Sequence, residues 1–150
     1  MGEIGLRNQS EEINIQSDRI YNLFISHCWD RHFEYLRLVN MLDAAEDFFW
    51  KNYSVAIENP LAGGSKKKLA SEIQSQIRSA SAVIVISGMY VTHREWIQFE
   101  IDVCDYYAKP LIGLIPRGNV AIPKAIQGSA WAIERWSTAS IVRSIIENTN

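Results

Sequence analysis

Apolar runs and amphipathic stretches alternate along the chain from residue 20 onward. The short apolar runs are rich in β-branched and aromatic residues, which is typical of buried strands. The longer stretches repeat their apolar residues every three or four positions, which is typical of helices with one buried face. We predict strands at residues 20–26, 53–57, 82–87, 111–115 and 130–135, and helices at residues 33–50, 66–80, 92–109 and 138–148.

This alternation predicts an α/β fold. Because helices separate most of the predicted strands, we expect the strands to run parallel and the helices to cover both faces of the sheet. The expected architecture is a flavodoxin-like, doubly wound, five-stranded parallel sheet with strand order 2-1-3-4-5. Ligands bind such sheets beyond the carboxyl ends of the strands, where the helices change face. That point lies between the first and third strands, where the loops at residues 26–30 and 87–90 meet.

One carboxylate interrupts the apolar side of the predicted helix 92–109. At roughly 100° per residue the apolar residues of this helix fall on one arc, and Glu100 and His93 lie near its middle. A carboxylate there must be paired, protonated or facing a cavity, because an isolated buried charge is too costly. Glu100 is therefore either part of a structural hydrogen-bond network or a candidate for chemistry. His93 fits a cap or packing residue better than a ligand.

Length and charge exclude several classes of protein. With 150 residues the chain fits one domain with its own core. We expect a flexible N-terminal arm at residues 1–19, which are mostly polar, and a single domain at residues 20–150. The formal net charge of -2 offers no basic field for nucleic acid. The apolar runs are too short to cross a membrane.

Cysteine and histidine usage gives no metal site. Cys28 and Cys104 do not make a disulfide framework, and residues 1–19 lack the apolar core of an export signal, so we expect a cytoplasmic, reduced protein. His27 and His32 flank Cys28 without a recognisable zinc spacing. Residues 63–68, Gly-Gly-Ser-Lys-Lys-Lys, lack the spacing of a nucleotide-binding P-loop. They form either a solvated basic helix start or a contact with the phosphates of a ligand or with a neighbouring subunit.

Short motifs give the chain a resemblance to TIR domains. Residues 21–27, Tyr-Asn-Leu-Phe-Ile-Ser-His, resemble the first-strand motif of that family, and residues 82–87 resemble its third strand. Residues 96–101, Trp-Ile-Gln-Phe-Glu-Ile, match its tryptophan-x-x-x-glutamate motif. Together with Ser-His-x-Trp-Asp at residues 26–30 and Gly-Met-Tyr-Val at residues 88–91, these motifs are similar to the TIR-like, NAD-using subunit of bacterial Thoeris antiphage systems.

The resemblance implies that Glu100 is the catalytic carboxylate of an enzyme that cleaves nicotinamide from NAD. Such a carboxylate stabilises the positive charge that develops on the ribose, so we expect Glu100 to face an opening at the rim of the sheet. NAD is then the substrate, and no cofactor is implied. The residues that the resemblance and the loop positions assign to NAD binding are Ser26, His27, Trp29, Asp30, Ser87, Met89, Tyr90 and Trp96.

Several of these residues also fit structural roles. Trp96 fits core packing, Trp29 fits packing on the following helix, and Asp30 fits a helix cap. A non-catalytic TIR-like interaction scaffold and a flavodoxin-like nucleoside N-glycoside transferase therefore stay open as alternatives. As an enzyme, the chain is expected to act with a separate effector protein that responds to its product, with a phage-derived trigger and as a homo-oligomer, without nucleic acid or membrane partners.

Overall fold

The computed structural model describes residues 19–59, 63–115 and 121–150 of the chain. Most of the predicted N-terminal arm at residues 1–19 lies outside these ranges, as do parts of the loops that follow residues 59 and 115. At the start of the described chain, the Arg19 guanidinium donates hydrogen bonds to the Thr149 carbonyl at 2.9 Å and to Asn150 Oδ1 at 3.2 Å. These bonds join the beginning of the described chain to its end.

The described residues form seven strands and six α-helices. The strands are β1 (Ile20–Ile25), β2 (His27–Cys28), β3 (Phe49–Asn52), β4 (Ala56–Ile57), β5 (Ala82–Ile86), β6 (Leu111–Leu114) and β7 (Ala132–Glu134). The helices are α1 (His32–Ala44), α2 (Lys66–Ser79), α3 (Ser87–Thr92), α4 (Arg94–Tyr107), α5 (Lys124–Ser129) and α6 (Thr138–Asn148), and a 3-10 turn at Trp29–Arg31 precedes α1. The predicted α/β fold class is confirmed.

The main sheet has five parallel strands in the order β3-β1-β5-β6-β7. Numbered over all seven strands, this order differs from the predicted 2-1-3-4-5, because β2 and β3 were not predicted. Counted over the five strands of this sheet alone, it is the predicted order. Helices α2 and α4 pack against each other, as do α1 and α6. All five residues of β5 are buried, as expected for a central parallel strand.

The predicted second strand is wrong in position. The expected helix 33–50 ends at Ala44, and the chain turns through Asp47, which has a positive φ of 53°. Aspartate tolerates this left-handed conformation better than most residues. Phe48 then packs its ring against Tyr21 with centroids 5.3 Å apart, and β3 pairs with β1 from residue 49 onward. The aromatic residues 48–50 therefore begin a strand instead of completing a helix.

The segment predicted as the second strand has another role. Ala56 and Ile57 form β4, which pairs with His27 and Cys28 of β2 in a separate two-stranded parallel sheet. This small sheet lies at the carboxyl edge of the main sheet, because β2 follows β1 after one residue. It therefore fixes the backbone of the loop in which several of the predicted site residues lie.

The region predicted as helix 92–109 contains a break at its start. Ser87–Thr92 forms the separate short helix α3, and His93, with a φ of -130° and a ψ of 45°, is non-helical between α3 and α4. Helix α5 was also not predicted, and it packs closely on the sheet at Gly113. A Cβ atom at Gly113 would lie 2.8 Å from Ile126 Cγ2 of α5, so only glycine fits there without a shift.

Candidate active site at the carboxyl edge of the sheet

Glu100 and Ser26 contact each other near the carboxyl ends of strands β1 and β5. Ser26 directly follows β1, and its backbone N–H donates to the Ile84 carbonyl of β5 at 3.0 Å. Glu100 projects from α4, and its Oε2 accepts a hydrogen bond of 3.0 Å from the Ser26 hydroxyl. Both side chains are 0% exposed. The structure thus joins the carboxylate to the loop after the first strand.

Burial makes Glu100 a weak acid. Loss of solvation raises the pKa of Glu100 from 4.5 to about 8, and the Ser26 hydrogen bond acts in the opposite direction. A carboxyl group with this pKa is mostly protonated at pH 7. The hydrogen bond from Ser26 agrees with the prediction that a carboxylate at this position is paired, protonated or facing a cavity.

The expectation that Glu100 faces an opening is wrong for this conformation. No part of its side chain is exposed, because it lies on the side of α4 that also carries Ile97, Ile101 and Cys104. That side packs into the core. NAD therefore cannot reach the carboxyl group without a movement of the surrounding elements.

Two buried polar atoms have no hydrogen-bond partner among the described residues. They are Glu100 Oε1 and Ser87 Oγ. Ser87 follows β5 and is 2% exposed, so solvent does not satisfy its hydroxyl. Buried polar atoms are normally paired, and leaving one unpaired costs about 1–3 kcal/mol. Both atoms belong to residues at the carboxyl edge of the sheet, which is where ligands bind this class of fold.

His27 packs inside a small aromatic cluster. Its ring stacks on Tyr35 with centroids 3.7 Å apart, and its Nε2 lies 2.9 Å from His32 Nδ1. Burial lowers the pKa of His27, and the neighbouring His32 lowers it further. The imidazole is therefore neutral at pH 7 and already has a packing and hydrogen-bond partner. This arrangement places it beside α1 and not beside Glu100.

The turn after β2 carries the two exposed members of the predicted set. Trp29 is 47% exposed, so about half of its surface faces solvent. Asp30 Oδ1 lies 2.5 Å from His93 Nε2. This contact connects the turn at Trp29–Arg31 to the break between α3 and α4. No side-chain hydrogen bond caps the start of α1, so Asp30 does not have the capping role there.

Helix α3 buries the other predicted residues of the second loop. Met89 is 0% exposed and Tyr90 is 8% exposed. The Tyr90 hydroxyl donates to Gln98 Oε1 of α4 at 2.9 Å, and the Arg94 guanidinium lies 5.5 Å from the centre of the Tyr90 ring. These contacts hold α3 against α4, so Met89 and Tyr90 act here as packing residues.

Trp96 is the predicted site residue that borders an open cleft. The cleft has a volume of about 250 Å³. It is lined by Ala56, Glu58, Asn59, Gly64, Ser65, Lys66, Lys68, Leu69, Glu72 and Trp96. Small-molecule sites usually enclose roughly 300–1,000 Å³, so the cleft as described is small for a dinucleotide. Trp96 lies one helical turn before Glu100, so the cleft borders the side of α4 that also carries the carboxyl group.

A larger groove lies elsewhere on the molecule. It has a volume of about 990 Å³ and runs between α1 and α6. Its lining includes the exposed side chains of Phe33 and Leu36 but none of the predicted site residues. Because Trp96 lines the smaller cleft and no predicted site residue lines the groove, the smaller cleft is the better candidate for a ligand site.

The TIR-like domain model of the Thoeris protein ThsB matches residues 24–121. The chain belongs to this family. A comparison with curated proteins finds no match. The family assignment confirms the resemblance that the motifs at residues 21–27 and 96–101 indicate, and all the predicted site residues lie within the matched segment.

The structure of this ThsB-type domain brings together only part of the predicted set. Ser26 and Glu100 are in direct contact, and Asp30 reaches the start of α4 through His93. Trp96 lines the cleft, whereas His27 points its ring toward Tyr35. The roles of these residues toward NAD stay predictions.

Two features of the ThsB-type domain were not predicted from the sequence. Arg31 and Glu34 form an ion pair of 2.8 Å over Gly88, where a Cβ atom would lie 3.3 Å from Glu34 Oε2. Their spacing of three residues is the only sequence signal, and such spacing is common on exposed helices. Cys28 and Cys104 both interact electrostatically with Glu100, and burial together with this carboxylate raises the pKa of both thiols. Both cysteines are therefore inert thiols beside Glu100.

Within the described ranges, no helix combines the length and apolar character needed to span a membrane. The same ranges contain no group of three or more His, Cys, Asp or Glu side chains arranged to hold a metal ion.

Proposed function

We propose that this ThsB-type TIR-like domain is an NAD glycohydrolase or cyclase with Glu100 as its catalytic carboxylate. The observation that carries the proposal is the position of Glu100. Its carboxyl group lies on the core-facing side of α4, and Oε1 has no hydrogen-bond partner among the described residues. A purely structural acid is expected to use both oxygens, because each unpaired buried atom destabilises the fold. Membership of the ThsB family supports an NAD-related role for this residue.

The reaction needs no strong acid. The bond between C1′ of the ribose and the nicotinamide nitrogen breaks, and its electron pair neutralises the positively charged ring, so nicotinamide leaves uncharged. Positive charge then develops on the ribose, where ionised Glu100 stabilises it. Water adds to C1′ and loses a proton to solvent, which gives ADP-ribose. If a nucleophile of the same ADP-ribosyl group adds instead, the product is cyclic.

Catalysis by the proposed reaction requires two changes at Glu100. The elements that cover it must open, and its carboxyl group must lose a proton. The contact between Asp30 and His93 joins the turn at Trp29–Arg31 to α4, so its release would loosen the cover of the site. Bound NAD also favours the ionised form, because the nicotinamide ring carries a positive charge close to the carboxylate.

We further propose that the product is a signal for a separate effector protein in antiphage immunity, and that the domain works in the cytoplasm as a homo-oligomer with a phage-derived trigger. A trigger is consistent with the complete burial of Glu100. The same burial also favours a second candidate, a TIR-like interaction scaffold without turnover.

The experiment that separates these candidates measures the products of NAD. The purified chain is incubated with NAD at high protein concentration, with and without extract from phage-infected cells, and the products are identified by chromatography and mass spectrometry. We expect nicotinamide together with ADP-ribose or a cyclic isomer, and a loss of at least 100-fold in Glu100→Gln. Glu95→Gln, which changes an exposed glutamate of the same helix, serves as the matched control.

The possible results lead to different conclusions. Equal nicotinamide release by wild type and Glu100→Gln would refute the catalytic assignment. No release by the wild type under either condition would favour the scaffold. Activity on nucleosides but not on NAD would identify a nucleoside N-glycoside transferase.

A further inference from the structure

The hydroxyl group of Ser26 has a fixed place beside Glu100. Its side chain is 0% exposed, and the backbone N–H of the same residue is bonded to the Ile84 carbonyl at 3.0 Å. The single hydroxyl hydrogen has two acceptors within reach, Glu100 Oε2 at 3.0 Å and the Ile84 carbonyl at 3.4 Å. The carboxyl oxygen is closer, and the carbonyl already accepts the backbone N–H. The hydrogen therefore points to Glu100.

This hydrogen bond makes the two oxygens of Glu100 different. Oε2 has a partner, whereas Oε1 is buried without one among the described residues. In the ionised form that the proposed reaction uses, the group that completes Oε1 in a ligand complex must be a hydrogen-bond donor. We infer that Ser26 is a positioning residue that fixes the rotation of the Glu100 carboxyl group, so that Oε1 is the oxygen that meets a ribose hydroxyl of NAD. This inference rests on the proposed function, and it replaces direct contact with NAD as the role of Ser26.

Among the described residues around Glu100, the Ser26 hydroxyl is the group that lowers the pKa of the carboxyl group. The titratable side chains that interact with Glu100 are the thiols of Cys28 on β2 and Cys104 on α4, and both stay uncharged because burial raises the pKa of each. Burial raises the pKa of Glu100, and the Ser26 hydroxyl opposes that rise by donating to the ionised form. Without this hydroxyl, ionised Glu100 would lose its donor and form only at higher pH.

The test compares Ser26→Ala with the wild type by steady-state kinetics across pH 6 to 10. We expect kcat to fall by roughly 10- to 100-fold, because the hydrogen bond to a charged group is lost. The midpoint of the kcat profile should move to higher pH by about one pH unit. The KM for NAD should stay within about twofold, because Ser26 does not touch the substrate. Ser26→Thr keeps the hydroxyl and should restore most of kcat.

A matched control is available at Ser54, which lies between β3 and β4 and contacts the residue before Ser26. The Ser54 hydroxyl accepts a hydrogen bond of 3.0 Å from the Ile25 backbone N–H, next to Ser26, but Ser54 has no contact with Glu100. Ser54→Ala should therefore leave the kcat midpoint unchanged. Thermal unfolding of each variant excludes loss of the fold as the cause of a lower rate.

A measurement without NAD separates the inference from the proposed function. Carbon-13 NMR of the glutamate carboxyl groups follows the titration of Glu100, and we expect a higher pKa in Ser26→Ala than in the wild type. With an active wild type, an unchanged pKa would overturn the inference, and so would a raised KM at unchanged kcat, because Ser26 would then bind NAD directly. If the wild type releases no nicotinamide but the pKa rises in Ser26→Ala, the proposed function fails, and Ser26 is left with a structural role only.

Discussion

Replacing Glu100 with glutamine should stabilise the fold increasingly as the pH rises. In the wild type the pKa of Glu100 is about 8 in the folded chain, against an ordinary value of 4.5. Between these two values the folded chain holds a proton that the unfolded chain has lost. Stability therefore falls as the pH rises through this window. Glutamine carries no titrating group and imposes no such loss.

The size of the effect follows from the two pKa values. Each pH unit within the window contributes about 1.4 kcal/mol. Relative to strongly acidic solution, the wild type should lose about 1 kcal/mol at pH 5, about 3 kcal/mol at pH 7 and about 5 kcal/mol at pH 9. The free energy of unfolding of Glu100→Gln minus that of the wild type should grow by these amounts. Any constant difference from packing or from the amide hydrogen bond does not change with pH.

Urea unfolding followed by tryptophan fluorescence at pH 5, 7 and 9 measures this difference. Other titrating groups affect both proteins equally, so the comparison cancels them. Glu95→Gln, at an exposed position of the same helix, is the matched control. If the gain of Glu100→Gln over the wild type is the same at pH 5 and pH 9, Glu100 is not a buried neutral acid, and the reasoning is refuted.

Two further variants test the packing of the sheet and the role of the cleft. In urea unfolding, Gly113→Ala should lower the free energy of unfolding by about 1–3 kcal/mol, because its Cβ would lie 2.8 Å from Ile126 Cγ2. Gly128→Ala is the control, because its Cβ would meet no atom within 4 Å, and it should be neutral or stabilising. In the nicotinamide assay, Trp96→Ala should raise the KM for NAD by roughly tenfold, because the ring lines the cleft. Trp131 does not line the cleft and is 52% exposed, so Trp131→Ala should leave the KM unchanged. Loss of stability in both glycine variants, or equal KM values in both tryptophan variants, would contradict these assignments.

The strongly patterned elements could be predicted from the sequence. Strand β5 is buried along its whole length, and helix α6 has the predicted bounds, because in both cases the apolar spacing fits one type of structure only. The aromatic residues 48–50 fit a helical stripe as well as a strand. The deciding feature there is the left-handed backbone of Asp47, which no apolar spacing indicates.

The candidate site was predictable only in part, for a similar reason. Glu100 is visible in the sequence because a carboxylate on an apolar arc breaks a local periodicity. Its hydrogen bond to Ser26 joins residues 74 positions apart and depends on how α4 packs on the sheet. The Asp30 and His93 contact spans 63 positions and depends on the turn at Trp29–Arg31. No local pattern encodes such distances, so these two contacts could not be predicted from the sequence.

Burial of Glu100 links the chemistry of the site to its control. With a pKa of about 8, about one Glu100 in ten is ionised at pH 7 in the conformation described here. That fraction is also shielded from NAD, because the side chain has no exposed surface. Any movement that lets water or NAD reach the carboxyl group lowers its desolvation and so favours the ionised form. Opening and ionisation therefore reinforce each other, and a partner that binds only the open conformation would increase both the access to Glu100 and its ionised fraction. On the proposed function, a domain built in this way has low activity until a second molecule holds it open.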